Sequence, residues 1–269
     1  MIIIYATFFA LVQAVTEFWP VSSSGHLVLL HELLQMQVID DLTFDVALHL
    51  GTALALIWYF WVDIKRYAKA FFSIFRGVNL GSEDQKTVFN LMLATVPAVL
   101  VGIFLESTIE VVFRSVIIVA INLIVGGLII FAVERWGQKK RDFENLSLIE
   151  SFGIGCAQAL ALIPGVSRSG STIITGMILK LKRPEAARFS FLLSIPIVLG
   201  AAAKKLFEIS WNLVSAKELY IFLYSVILTF VIGYFIIKYF LRFLQNRSLN
   251  IFGWYRILLG LIILAVYYL

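Results

Sequence analysis

The sequence predicts an all-α integral membrane protein with an inverted-topology repeat, each half a re-entrant helix-break-helix hairpin followed by three transmembrane helices. Three observations predict it: apolar stretches long enough to cross a bilayer, two polar motifs that interrupt apolar segments, and a constant spacing of 145 residues between those motifs. Of the 269 residues, 61% are hydrophobic and only 14% charged, and the mean hydropathy of +0.93 is far above what a soluble core of this size requires.

A helical crossing takes about 20 mainly apolar residues. The first segment, 2–34, is apolar but carries "EFWPVSSSGH" at 17–26, with a carboxylate, a proline, three serines and a histidine in ten positions. No Lys or Arg precedes its apolar run and no small-x-small cleavage site follows, so it is read as mature structure and not as a signal peptide. Continuous crossings are then expected at 44–62, 88–108 and 114–133. A second interrupted segment, 149–181, carries "PGVSRSGST" at 164–172, and three further crossings follow at 186–206, 217–240 and 251–268. The chain is one membrane domain, 1–269, with repeat 1 at 1–133 and repeat 2 at 149–269.

The repeat is legible residue by residue. Shifted by 145, "QAVTEFWPVSSSGH" falls on "QALALIPGVSRSGS", matching Gln13 to Gln158, Val21 to Val166, Ser22 to Ser167, Ser24 to Ser169 and Gly25 to Gly170. The same shift lays "TFDVALHLG" at 43–51 over "RFSFLLSIP" at 188–196 without a gap. If each broken segment dips in and returns to its own side, each half crosses an odd number of times and the second half is inverted.

Charge tests that topology, because Lys and Arg collect on the cytoplasmic side. With the N-terminus outside, sixteen of the 22 basic residues, from Lys65 to Arg247, fall in cytoplasmic stretches. The outside stretches hold four, Arg114, Lys204, Lys205 and Lys217, and the loop at 35–43 carries Asp40 and Asp41 and no base. The net charge of +5 thus belongs to membrane edges, and nucleic acid is excluded as a partner. Cys156 is the only cysteine, which rules out a disulfide framework and a cysteine-based metal site and leaves it to packing.

The two motifs write both a helix break and a new helix start. Pro20 and the Pro164–Gly165 pair break, while Ser22, Ser23 or Ser24, and Ser167 or Ser169, can cap the next half-helix. Two half-helix N-termini converging in the membrane form an anion site, with Gly170 and Thr172 in the first turn of the second. Small residues also let membrane helices approach closely, which is the competing reading for the serines. Ser23 and His26 are three apart, one turn along the same face, and are expected to work together. Gln13 and Glu17 share a face four apart, and Glu17 lies at the C-terminal end of its half-helix, where the dipole disfavours a carboxylate. Either a divalent ion held by Glu17 and Gln13, a pairing with Arg168, or protonation would compensate it. Arg168, an arginine in mid-span, suits bidentate binding of phosphate oxygens. Asp45, His31, His49, Glu106 and Glu110 are secondary: His31 as an outer-surface residue, His49 in a supporting hydrogen bond, Asp45 as a cap, and the two glutamates as solvated.

The motifs "TEFWPVSSSGH" and "PGVSRSGST" resemble the two signature motifs of the undecaprenyl-diphosphatase family, also called bacitracin-resistance proteins, and length, hydropathy and motif spacing agree over nearly the whole chain. The resemblance implies hydrolysis of undecaprenyl diphosphate to undecaprenyl phosphate and phosphate, which recycles the lipid carrier for peptidoglycan synthesis. It places the family's acidic motif on Gln13 and Glu17, its serine and histidine on Ser23 and His26, and its arginine on Arg168. This chain has Gln13 where the family motif has Glu or Gln. The resemblance also implies dependence on Mg²⁺ or Ca²⁺, the plasma membrane of a bacterium, and an active site on the periplasmic side. The expected catalytic set is Ser23, His26, Glu17 and Arg168, with Ser22, Ser24, Ser167, Ser169, Gly170 and Thr172 beside Arg168 on the substrate. The nucleophile is left open between Ser23, His26 and water. The partners are a polyprenyl diphosphate and membrane lipid, and a homodimer is compatible with them.

An inverted repeat with a midplane anion site is also how secondary transporters are built, so a polyprenyl-phosphate flippase is the alternative. A phosphatidic-acid type of lipid phosphatase is not matched. Its Lys-x6-Arg-Pro motif is absent at Arg183–Pro184, and no His follows Arg168.

Overall fold

In a computed structural model, residues 2–34, 41–75, 83–113, 115–137, 139–209 and 211–268 are described. Asp40, Arg76 and Arg114 lie outside the described residues, as do the side chains of Asp41, Glu106 and Glu110. The chain runs α1 (Ile2–Phe18), α2 (Ser23–Leu34), α3 (Asp41–Tyr59), α4 (Trp61–Phe75), α5 (Glu83–Phe113), α6 (Val116–Trp136), α7 (Leu148–Leu160), α8 (Arg168–Ile178), α9 (Arg183–Glu208), α10 (Ala216–Asn246) and α11 (Asn250–Tyr268). Among the described residues the only β-pairing is a bridge between Arg141 and Leu181.

Five of these helices are long and apolar enough to cross a membrane, over Glu83–Leu105, Val116–Trp136, Arg183–Glu208, Ala216–Asn246 and Asn250–Tyr268. The sixth expected crossing differs from its forecast. The chain turns by 77° between α3 and α4, at Phe60, and does not run straight through 44–62. Beyond the turn come Asp63, Lys65, Arg66 and Lys69 among Trp61, Val62 and Phe72, an amphipathic composition that favours lying along a membrane boundary over continuing through it. Arg66 pairs with Asp84 of α5 and Arg188 of α9 reaches Asp63 at 3.2 Å, tying the turn to its neighbours.

Both interrupted segments fold back on themselves. The second leaves from Arg141 and returns to it: Arg141 N–H donates to Lys180 O at 2.9 Å, and Lys182 N–H donates to Arg141 O at 2.9 Å. In the first, His31 of α2 returns to within 5.1 Å of the Phe9 ring of α1. The rest of the helices pack around these hairpins, with α5 against α7 and α1 against α10 among the largest contacts, as are α3 against α10 and α6 against α11. The 145-residue shift exchanges the first two of these pairs. Helices α6 and α11 approach closely because a Cβ on Gly127 would lie 2.7 Å from Gly253 O, so only a glycine permits that backbone separation.

Sequence signals set the helix ends. Ser147 and Glu150 form a reciprocal capping box on α7, as do Ser215 and Glu218 on α10. At the end of α6, the carboxylate of Glu134, 4% exposed, accepts from Lys139 Nζ, from Arg183 Nε and Nη2, and from Leu249 N–H at 2.5–2.8 Å. That single acid draws together α6, α9 and the start of α11.

Candidate active site at the two helix breaks

The two breaks have the same local construction. After α1 the chain turns through Trp19 and Pro20, and Ser22 takes a left-handed φ of 72° before α2 begins at Ser23. After α7 it turns through Pro164 and Gly165, and Ser167 takes a φ of 76° before α8 begins at Arg168. Non-glycine residues seldom adopt such angles, and their presence at matched positions marks a held conformation. Each strained serine caps its helix: Gly25 N–H donates to Ser22 Oγ at 3.3 Å, and Gly170 N–H to Ser167 Oγ at 3.1 Å. The capping forecast is resolved to Ser22 and Ser167.

The breaks meet. Ser169 Oγ donates to Trp19 O at 3.0 Å, and Arg168 Nη2 donates to Glu17 Oε1 at 2.5 Å. The other carboxylate oxygen, Oε2, accepts from Ser23 Oγ at 2.6 Å and from Gln13 Nε2 at 3.0 Å. Glu17 is 7% exposed and Gln13 is fully buried, so in this low-dielectric pocket each of these bonds is strong and each missing partner costly. Two polar atoms here have no hydrogen-bond partner among the described residues: Gln13 Oε1 and Arg168 Nη1.

These contacts bear on three expectations. Of the compensations offered for Glu17, the described residues show the pairing with Arg168. Ser23 and His26 share no hydrogen bond among the described residues, because Ser23 is turned to Glu17. His26 instead places Nδ1 2.7 Å from Ser22 O and Nε2 2.6 Å from Tyr255 Oη. A carbonyl only accepts, so Nδ1 carries the proton and Nε2 accepts from the tyrosine hydroxyl. Finally, Thr172 is committed to the protein: its hydroxyl donates to Arg168 O at 2.8 Å and lies 2.6 Å from Ser190 Oγ of α9. Ser169 and Gly170 likewise have their polar groups engaged within and between the breaks. Ser24 is exposed and touches Ser22 Oγ at 3.3 Å.

Asp45 is not a cap; it accepts from His31 Nε2 at 3.0 Å. His49 hydrogen bonds Asp45 O at 2.8 Å, the supporting role expected of it, and lies within electrostatic reach of Glu17. Cys156 is exposed and not packed inside. Beside the breaks, an apolar cavity of about 470 Å³ opens between α1, α10 and α11, lined by Thr16, Trp19, Val21, Phe240, Phe252 and Tyr255 among others.

Two residues of α11 escaped the sequence reading, Tyr255 and Arg256. The signal for Arg256 was present: "GWYRILLG" carries an arginine within an apolar span, the same argument that singled out Arg168. Nothing in the sequence pointed to Tyr255, whose partner is 229 positions away.

For a divalent ion, no group of three His, Cys, Asp or Glu side chains gathers among the described residues. The donors present are hard oxygens, the Glu17 carboxylate and the unpartnered Gln13 Oε1, which suit Mg²⁺ or Ca²⁺ when a phosphate supplies the remaining ligands.

A polytopic helical membrane protein with two strained helix starts, closing on a buried carboxylate and guanidinium, is the class these features define. The family model for bacitracin resistance protein BacA matches residues 6–262, and the chain belongs to that family. Relatives named undecaprenyl-diphosphatase are similar over nearly their whole length. That of Rubrobacter xylanophilus is 42% identical over 266 residues, covering 98% of both chains. That of Moorella thermoacetica is 39% identical over 272 residues, covering 100% of this chain and 99% of its own. That of Geotalea daltonii is 42% identical over 264 residues, covering 97% and 96%.

Proposed function

We propose that the chain hydrolyses undecaprenyl diphosphate to undecaprenyl phosphate and inorganic phosphate on the outer side of the bacterial plasma membrane, recycling the carrier for peptidoglycan synthesis. The observation that carries this is the unpartnered Arg168 Nη1 beside the Arg168–Glu17 pair, a buried donor on the first residue of a half-helix. Phosphate oxygens satisfy such a donor, and helix N-termini favour their charge. Family membership and the relatives' names support the same chemistry.

Arg168 holds the terminal phosphoryl group through Nη1, while Nη2 keeps its bond to Glu17 Oε1. Ser23 Oγ attacks the terminal phosphorus and its proton passes to Glu17 Oε2, the atom it already faces at 2.6 Å. The bridging P–O bond breaks and undecaprenyl phosphate leaves. Water then replaces the Tyr255 hydroxyl at His26 Nε2, which takes its proton as it attacks the phosphoserine. The P–Oγ bond breaks, Glu17 returns its proton to Ser23 Oγ, and His26 gives its proton to the departing phosphate. Glu17 and Gln13 Oε1 are the groups that would hold Mg²⁺ or Ca²⁺, whose chemistry there is neutralisation of the diphosphate charge. The remainder is positioning, which dominates phosphoryl transfer. The apolar cavity by Trp19 and Tyr255 takes the first isoprene units.

The orientation rests on the distribution of Lys and Arg, and an inverted pair of repeats, 1–133 and 149–269, on the matched breaks and exchanged packing. Phosphate release from a prenyl diphosphate by the purified chain in detergent, with and without chelator and beside Arg168→Ala, tests the reading. A polyprenyl-phosphate flippase would bind the lipid and release no phosphate.

A further inference from the structure

We infer that Arg256, in the middle of α11, is a positioning residue for the reaction: it locks the two helix breaks in register so that Arg168 and Ser23 meet on Glu17. The inference rests on the phosphatase reading for its kinetic consequence, though not for its geometry. Arg256 has no exposed surface and, among the described residues, no carboxylate pairs with it. Its guanidinium is solvated by backbone instead. Nη1 donates to Pro20 O at 3.1 Å, in the first break. Nη2 donates to Gly165 O and Val166 O, both at 3.1 Å, in the second break. Nη2 and Nε reach Asn122 O at 2.9 Å and Leu123 O at 3.2 Å on α6.

Both breaks strip carbonyls of their helical partners, and in a membrane interior such carbonyls need a donor. One planar fork supplies both motifs and the wall between them, which a lysine's single ammonium cannot reproduce. The chain leaves room for it. A Cβ on Gly126 would run into the guanidinium, and one on Gly170 would lie 3.0 Å from Arg256 Nη1. Gly170 was expected on the substrate; its smallness serves this joint.

Arg256→Lys and Gly126→Ala, which pushes the guanidinium without altering it, are made in the full chain, each alone and with Arg168→Lys. Nitroxides at the exposed Ser24 and Leu160, in a Cys156→Ala background, report the separation of the motifs by electron spin resonance. Both variants are expected to broaden that distance, and to lower kcat about 10²-fold with KM held, as misplacement of reacting groups does. The loss should shrink to about threefold or less when Arg168 is already Lys, because the two act on the same geometry. An unchanged distance, or the same proportional loss in both Arg168 backgrounds, overturns the inference. Should the wild type release no phosphate, the function reading fails, and the distance alone decides the joint.

Discussion

Ser23 and Arg168 begin the two half-helices 145 residues apart, and each holds one oxygen of the Glu17 carboxylate, at 2.6 and 2.5 Å. Positions that the 145-residue shift superposes thus carry a hydroxyl in one motif and a guanidinium in the other, and both reach a single acid. That convergence is possible because both helix starts are forced open by a left-handed serine just before them.

Arg168→Ala should reduce phosphate release about 10²- to 10³-fold, the effect of removing a preorganised donor from a phosphoryl or oxyanion site. Arg168→Lys should recover only part, since a point charge replaces a fork that grips Glu17 with one amine and leaves the other for phosphate. Full recovery by lysine would show that charge alone is used.

Ser23→Ala and Glu17→Gln should each lower kcat by about 10²- to 10⁴-fold, as loss of a nucleophile or base does. His26→Ala should instead leave a phosphorylated Ser23 that accumulates, detectable with a ³²P-labelled terminal phosphate. Label on a Ser23→Ala chain would place the nucleophile elsewhere.

Gly165→Ala should destabilise the chain by about 1–3 kcal/mol, the cost of holding a residue in a disfavoured backbone region. Its φ is 89°, and an added Cβ would lie 2.7 Å from Val119 O. Thermal unfolding in detergent reads this, and an unchanged midpoint would mean that the second break is not pinned against α6.

Much of this was legible in the sequence, for physical reasons. Crossings need about 20 apolar residues, so five of the six continuous ones appear where expected, while the turn at Phe60 was missed because 44–62 is apolar on both sides of it. The breaks were legible because Pro20 and Pro164 are each followed closely by serines that can start a new helix, whereas Pro97 and Pro196, without such a sequel, lie inside α5 and α9. The pairing of Ser23 with His26 was inferred from three-residue spacing, which says which residues share a face but not where a hydroxyl rotates. Here a carboxylate on the preceding half-helix captured it. Arg256 acts through contacts 90 or more positions away and Tyr255 through one 229 positions away, and spacing cannot report such partners.

Gln13→Glu should keep hydrolysis within about tenfold and lower the Mg²⁺ concentration needed for half-maximal rate, because a second carboxylate strengthens a hard-cation site. It replaces the amide whose Nε2 now serves Glu17 and whose Oε1 is unpartnered. A weaker response to Mg²⁺ would remove Gln13 from the cation site.

The most direct measurement is a double-mutant cycle on kcat/KM with Glu17→Gln, Arg168→Gln and the double variant. If the two motifs share one site, the residues act as a unit, and the double variant should be no more than about tenfold slower than the worse single. Losses that multiply, each variant costing the same with or without the other, would contradict a shared site.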